Sequence, residues 1–148
     1  MPSLNFKKEF VDLITSGKKR QTIRPKRKNP IKVGDKLYLF TGQRTSKCRY
    51  LFGDNLEQII SNSEFVRFDT FKTPEHSFVF KPYVICISVQ DIIIHYGDGI
   101  RLEKNGITMS FQEEEILAKK DGFECRDDFI NFFKNHYGLP FKGVLIKW

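Results

Sequence analysis

Short β-prone stretches recur along most of the chain, and they are mixed with helical segments in no regular order. The longest of them, Val84 to Ile94, is rich in β-branched side chains and predicts core strand structure. Apolar residues at helical spacing occur before residue 17 and after residue 110. Because no strand–helix–strand rhythm is present, the pattern predicts an α+β fold, a small, mainly antiparallel sheet or barrel with helices packed outside.

The length of the chain, 148 residues, predicts one domain spanning residues 1–148. Fifteen Phe, five Tyr and one Trp supply enough large apolar side chains for a packed core. No internal repeat or low-complexity linker divides the sequence. The segment from about residue 53 to 83 is a candidate insertion within this domain.

Several classes of protein are not expected. No run approaches the roughly 18 apolar residues that cross a bilayer. The first ten residues lack the apolar segment of a secretion signal, so we expect a cytoplasmic protein. Three Cys without a C-x-x-C pair, together with three scattered His, favour neither a disulfide framework nor a metal site. We therefore expect no metal and no cofactor.

Individual elements can be predicted from periodicity and turn residues. A short amphipathic helix is expected at residues 7–16, ending at Gly17, and longer helices at 111–120 and 126–137. Asn105-Gly106, between two alternating segments, predicts a tight hairpin. Residues 53–63 are expected to form a loop or one helical turn. Shorter strands are predicted at residues 21–24, 36–40, 47–52, 65–68, 78–80 and 143–148.

Positive charge is concentrated in the first third of the chain. Residues 1–50 hold 14 Lys or Arg against 3 Asp or Glu, whereas residues 51–148 hold 11 against 15. Eight of the positive charges lie within residues 18–32. Such a cluster can displace counterions from a phosphate backbone, although a solvated basic loop is the alternative.

The stretch from Gly17 to Arg24 is the strongest candidate for a binding site. A helix that ends at a glycine and reverses into a strand exposes backbone N–H groups. Here those groups lie beside Lys19 and Arg24 in the sequence, and together they would suit a phosphate or a polarised carbonyl. Thr22 is the only hydroxyl between them, and a lysine with a lowered pKa can act as its base. This chemistry requires Lys19 to lie in the turn, because residues 19 and 22 of one regular strand would point to opposite faces. The alternative is that Thr22 is an ordinary strand residue and the lysines are solvated.

The same stretch resembles the ASCH domains, which are relatives of the RNA-binding PUA fold. Their Gly-x-Lys-x-x-x-x-Arg signature, which follows a first helix, is met here by Gly17, Lys19 and Arg24. Their Gly-Asp turn into a strand is met by Gly34-Asp35. The resemblance implies a PUA-like β-barrel with flanking helices and a cleft in which Lys19 and Arg24 meet the ligand.

Two further segments carry the likeness. Residues 41–45, Thr-Gly-Gln-Arg-Thr, resemble a segment of some members and bring in Arg44. Asp121-Gly122-Phe123 resembles an acidic-Gly-Phe step that precedes the last helix. The likeness therefore covers roughly residues 4–52 and 110–148.

A bacterial branch of these domains, which resembles the N4-acetylcytidine amidohydrolase, carries Thr where many members carry Glu. Likeness to that branch implies Lys19 as the activating base, Thr22 as the nucleophile and Asp121 as the acid. Glu113, Glu114 and Glu115 are alternatives for the acid, although acidic residues at the start of a helix commonly interact with its dipole.

Three functions are consistent with these residues. The first is an RNA- or nucleotide-binding domain with a basic cleft. The second is an amidohydrolase acting on an acylated pyrimidine nucleoside, and the third is a ribonuclease, for which no well-placed pair of histidines is present. The basic residues expected to contact the ligand are Lys18, Lys19, Arg20, Arg24, Lys26, Arg27 and Arg44. Aromatic residues that are candidates for stacking on a base, or else for the core, are Tyr38, Tyr50, Phe52 and Tyr83.

Overall fold

The computed structural model describes residues 2–52, 64–72, 74–75, 78–97 and 99–148, and within these ranges it is an α+β structure. The helices are α1 (Val11–Thr15), which follows a 3-10 turn at Lys8–Phe10, α2 (Phe111–Lys120) and α3 (Arg126–Tyr137). The strands are β1 (Ser3–Phe6), β2 (Gln21–Pro25), β3 (Lys36–Thr41), β4 (Arg49–Tyr50), β5 (Val66–Lys72), β6 (Phe78–Ile85), β7 (Ser88–Gly97), β8 (Gly99–Lys104), β9 (Ile107–Thr108) and β10 (Phe141–Lys147).

The described strands form two mostly antiparallel sheets. The first has the order β1-β3-β6-β5, with β4 paired to β3, and its only parallel pair in the described chain joins β1 to β3. The second has the order β2-β10-β7-β8-β9. The α+β class and the mainly antiparallel pairing predicted from the sequence are confirmed. Among the described strands the arrangement is two sheets, and no closed barrel is seen.

The middle strand β10 of the second sheet carries buried side chains on both faces. Along β10, Leu145 belongs to a core cluster formed with α2 and α3, whereas Ile146 and the adjoining Trp148 belong to a cluster shared with the first sheet. Successive side chains of a strand point to opposite faces, so this alternation defines three layers: first sheet, second sheet and helices. The second sheet is thus the central layer, and β2 lies at its edge.

The chain passes from one sheet to the other at Cys86 and Ile87. Cys86 exchanges backbone hydrogen bonds with the turn at Gly34-Asp35, whereas the Ile87 N–H donates to the Lys147 carbonyl in the second sheet. The single β-prone run expected at residues 84–94 is therefore divided between β6 and β7. Because apolar residues continue on both sides of this point, the sequence has no local signal for the change of sheet.

The other local predictions agree well with the structure. Helices α2 and α3 have the predicted bounds, and the helix predicted at residues 7–16 is found as the 3-10 turn followed by α1. The hairpin is also confirmed, with φ of 52° at Asn105 and 79° at Gly106 in the turn between β8 and β9. Residues 53–63, expected to form a loop or one helical turn, lie outside the described residues, as does part of the candidate insertion at 53–83. None of the described helices is long and apolar enough to span a bilayer.

A glycine on β10 allows the close approach of β2. Gly143 pairs with Pro25, and a Cβ atom at this position would lie 2.4 Å from the Arg24 carbonyl oxygen and 2.7 Å from the Phe141 ring. Contacts this short cannot be accommodated without moving the strand. Gly143 therefore determines how closely the end of β2, which carries Arg24, packs on the central sheet.

We predict that Gly143→Ala destabilises the protein by about 2 kcal/mol, because the new methyl group displaces β2 or the Phe141 ring. Urea unfolding followed by circular dichroism would measure the loss. Lys142→Ala, at the exposed neighbouring position, is the control and should change the unfolding free energy little. A Gly143→Ala protein as stable as this control would contradict the prediction.

Candidate functional site

Lys19 lies in the turn between α1 and β2. Its backbone N–H donates to the Leu13 carbonyl at 2.9 Å, and β2 begins two residues later at Gln21. The Lys19 side chain points inward and is only 3% exposed. The position in the turn that the proposed chemistry requires is therefore confirmed.

Asp121, from the C-terminal part of the chain, contacts Lys19. It caps the C-terminus of α2, with its N–H donating to the Leu117 carbonyl at 3.0 Å. Gly122 follows with φ of 99°, and a Cβ atom there would lie 3.2 Å from Lys19 Cδ and 3.0 Å from the Phe10 ring. The absence of a side chain at Gly122 lets this turn pack directly on the Lys19 stem.

Lys19 and Asp121 form a buried ion pair. Lys19 Nζ is 3.1 Å from Asp121 Oδ1, and it also donates a short hydrogen bond to the backbone carbonyl of Asp121. The Gln21 side chain is a second hydrogen-bonding partner of this carboxylate. Burial lowers the pKa of Lys19 and raises the pKa of Asp121, because removal from water disfavours the charged form of both groups. Their mutual attraction opposes both shifts.

Thr22 and Arg24 extend from the same face of β2. Thr22 is 4% exposed, and its hydroxyl oxygen accepts a hydrogen bond from Arg24 Nε at 3.1 Å. Arg24 Nη2 donates to the Asn5 carbonyl at 2.6 Å, and its guanidinium lies 4.8 Å from the centre of the Phe6 ring. Burial lowers the pKa of Arg24, although a guanidinium remains charged at neutral pH. Among the described hydrogen bonds, none joins Lys19 to Thr22.

These four side chains line one cavity of about 180 Å³, which we call the site cavity. It lies between the edge of the central sheet, the turn after α2 and helix α3. The remaining wall is largely aromatic, and its rings belong to Phe6, Phe10, Phe123, Phe132 and Phe133. An ammonium, a guanidinium, a hydroxyl and a carboxylate thus converge on a hollow with apolar walls.

Four polar residues of the site cavity were not identified from the sequence, and one of them is Asn5, whose backbone carbonyl accepts from Arg24. Lys7, His136 and Tyr137 also line it, and Lys7 Nζ makes a short contact with His136 Nε2. An ammonium can only donate, so Nε2 accepts, and Nδ1 carries the hydrogen that is donated to the Phe132 carbonyl at 2.9 Å. His136 also stacks on the Phe132 ring at 4.2 Å. The sequence shows that Phe132 and His136 are four residues apart and so share one side of α3. It does not show which part of the molecule that side faces.

The other cations predicted to bind ligand lie elsewhere. Lys26 and Arg27 line a neighbouring groove of about 400 Å³ that includes Arg24 but not Lys19. Lys18 and Arg20 line a separate hollow of about 300 Å³ beside Trp148. Here Arg20 Nε donates to the Trp148 carbonyl at 3.2 Å, and the Trp148 N–H donates to the Arg20 carbonyl at 3.1 Å.

Arg44 is also separate from the site cavity. It is exposed in the loop after β3, where its φ is 67°. The preceding residue, Gln43, donates its backbone N–H to the Asn5 side chain at 2.9 Å, so the loop lies near the cavity without supplying Arg44 to its wall.

The three glutamates considered as alternatives to Asp121 have structural contacts. Glu113 completes the capping box of α2 with Ser110. Glu114 is buried and pairs with Arg126, and it accepts the Leu102 N–H at 3.2 Å. Glu115 accepts the Arg126 N–H at 3.2 Å. Asp121 is the only one of the four that lines the site cavity.

The aromatic residues suggested for base stacking also lie outside the site cavity. Phe52 and Tyr38 are almost completely buried. Tyr38 packs against Tyr83 at 6.0 Å, and Tyr50 packs against Phe40 at 4.5 Å. The aromatic wall of the cavity comes instead from the N-terminal segment and from the end of the chain that includes α3.

Among the described residues, no three His, Cys, Asp or Glu side chains are grouped so as to hold a metal ion. Comparison with protein-family models, characterised proteins and solved structures gives no match to this chain. The functional argument therefore depends on the site geometry and on the residues themselves.

We predict that Asp121→Asn destabilises the protein by about 3–5 kcal/mol, because it leaves the Lys19 ammonium buried without its carboxylate. Adding Lys19→Met to this variant should recover part of the loss, and chemical denaturation of the three proteins would show it. Asp69→Asn, which removes the partner of exposed Lys36, is the matched control and should leave stability nearly unchanged. Equal losses for Asp121→Asn and Asp69→Asn would contradict a buried, mutually dependent pair.

Proposed function

We propose that this chain binds RNA or a nucleotide, with a single base in the site cavity. The observation that carries the proposal is that Lys19, Thr22, Arg24 and Asp121 line one hollow with aromatic walls. Its volume, about 180 Å³, is below the roughly 300–1,000 Å³ typical of drug-sized ligands. It therefore suits one ring better than an entire nucleotide.

The polar groups of the cavity suit the edge of a base. Arg24 uses one N–H for Thr22 and one for Asn5, so its other N–H groups are left to donate to a ligand carbonyl or ring nitrogen. Asp121 lines the same cavity, and a carboxylate has several lone pairs, so beside its contact with Lys19 it can accept from an exocyclic amino group. Single-stranded RNA is commonly read through such contacts to an unstacked base, with aromatic rings against its face.

We also propose that the chain is an ASCH domain of PUA-like architecture. The residues that carry the resemblance, Lys19 and Arg24, are the ones that meet at this cavity, and the Gly34-Asp35 turn is present beside β3. The two mostly antiparallel sheets with helices on one side are compatible with an opened barrel of that class.

The binding proposal predicts a steep dependence on salt. Because several phosphates would be contacted, the affinity for a fluorescein-labelled single-stranded RNA should fall about ten-fold or more between 50 and 200 mM salt. Arg24→Gln should weaken binding further, by about ten-fold, whereas Lys72→Gln, at an exposed position outside the described cavities, should not. Fluorescence anisotropy would measure each affinity, and a flat salt response would count against the proposal.

A second candidate is an amidohydrolase acting on an acylated pyrimidine nucleoside such as N4-acetylcytidine. The specific observation is that a buried lysine with a lowered pKa and a buried threonine line the same cavity. Burial also raises the pKa of Asp121, so Asp121 can hold the proton that Lys19 must lose to become a base. Arg24 Nε, already bonded to Thr22 Oγ1, would stabilise negative charge that develops on this oxygen.

The reaction on this proposal has two stages. The Thr22 hydroxyl gives its proton to neutral Lys19 and attacks the acyl carbon, and the C–N bond then breaks as the amine takes the proton from Lys19. In the second stage Lys19 deprotonates a water, which attacks the acyl-threonine ester. The ester C–O bond breaks, Thr22 regains its proton and the carboxylic acid leaves.

For this reaction we predict that Thr22→Ala lowers kcat for deacetylation of N4-acetylcytidine by about 100-fold or more, because it removes the nucleophile. Thr22→Ser should retain much of the activity, and Thr22→Ala should still bind cytidine. Chromatographic separation of N4-acetylcytidine from cytidine follows the turnover. Unchanged turnover in Thr22→Ala would exclude Thr22 as the nucleophile.

The rate should also rise with pH. The neutral amine of Lys19 is the active form, and burial lowers its pKa from the ordinary 10.5, so kcat should increase with pH and reach half its maximum below pH 10.5. A pH profile of kcat on N4-acetylcytidine measures this limb. A rate that falls as the pH is raised from 6 to 9 would be inconsistent with Lys19 as the base.

A further inference from the structure

A basic groove adjoins the site cavity, and Arg24 lines both. The groove has a volume of about 400 Å³, and its basic residues are Arg24, Lys26, Arg27 and Lys28. Its floor is apolar and includes Val144 and Ile146 of β10. Because Arg24 lines both hollows, its side chain is common to their walls.

The charge of the groove is largely unneutralised. Among the described residues that line it, Asp91 is the only acidic one, and it pairs with Lys26 at 3.2 Å on the exposed rim. Arg27 donates to the Ser3 backbone carbonyl at 2.8 Å, a contact that orients the guanidinium without cancelling its charge. Lys28 has no ion-pair partner among the described residues. Net positive charge therefore remains beside an apolar floor.

We propose that the basic groove holds the phosphate and the neighbouring nucleotide of a single-stranded oligonucleotide whose target base occupies the site cavity. This inference rests on the proposed function and specifies its ligand as a strand rather than a free nucleoside. The cations match a phosphodiester, and the apolar floor matches the flat face of a second base. The site cavity is too small for a complete nucleotide, so the sugar and the phosphate must lie outside it.

Arg24 is the residue that couples the two parts of the ligand. Its Nε and one Nη2 hydrogen are used by Thr22 and Asn5, and these contacts hold the guanidinium plane between the two hollows. The free edge of the fork can bond a phosphate oxygen, whereas a lysine at this position would offer a point charge without a fixed plane.

The experiment compares ligands of increasing size. Isothermal titration calorimetry would measure the affinity for each of the four ribonucleosides, their 3′- and 5′-monophosphates and the four single-base ribotetranucleotides. We expect the tetranucleotide of the preferred base to bind at least about ten-fold more tightly than its nucleoside. In Lys26→Gln/Lys28→Gln this gain should disappear while the nucleoside affinity stays unchanged. Lys72→Gln/Lys119→Gln, at two exposed positions outside both hollows, removes the same number of charges and is the control. Thermal unfolding would verify that each variant is folded.

The outcomes separate the inference from the proposal on which it rests. Equal affinity for nucleoside and tetranucleotide, or a double variant that keeps the full gain, overturns the strand-binding groove alone. Competition by an oligoglutamate peptide as effective as that by the tetranucleotide also overturns it, because the groove would then recognise negative charge without a nucleic acid. Failure of every nucleoside, nucleotide and tetranucleotide to bind overturns the proposed function together with the inference.

Discussion

The buried contact between Lys19 and Asp121 is the interaction on which the site cavity depends. It joins the turn before β2 to the turn after α2, two segments about a hundred residues apart in the sequence. Charged groups removed from water repay their desolvation only with close partners and additional hydrogen bonds, so such a pair is a poor source of stability. We infer that its value is positional: it holds the edge of the central sheet against the helical layer and so keeps the hollow open between them.

Local sequence patterns were sufficient to predict most of the helices and strands. Helices α2 and α3 and the Asn105-Gly106 hairpin could be predicted because periodicity and turn chemistry are properties of neighbouring residues. The passage between sheets at Cys86-Ile87 could not, because it depends on hydrogen bonds to residues far away in the sequence. The division of the strands into two sheets has the same origin, since periodicity does not specify strand partners.

The candidate site was predictable to a similar extent. Lys19, Thr22 and Arg24 are close in sequence, so one turn and one strand bring them together, and Asp121 was reached only through resemblance to a family. The basic run as a whole was less informative, because the cations that precede β2 and those that follow it line separate hollows. His136 was missed because the orientation of a helix is determined by packing rather than by its own residues.

Trp148 is the single tryptophan of the chain, and it is almost completely buried next to the Phe6 ring, the same ring that lies beneath Arg24. Its backbone is also tied to Arg20 by two hydrogen bonds. An indole held in this way supplies an intrinsic fluorophore at the junction of the two sheets, one aromatic ring away from the candidate site. Emission from the unlabelled protein should consequently sense both the separation of the sheets on unfolding and any shift of Phe6 that accompanies occupation of the cavity.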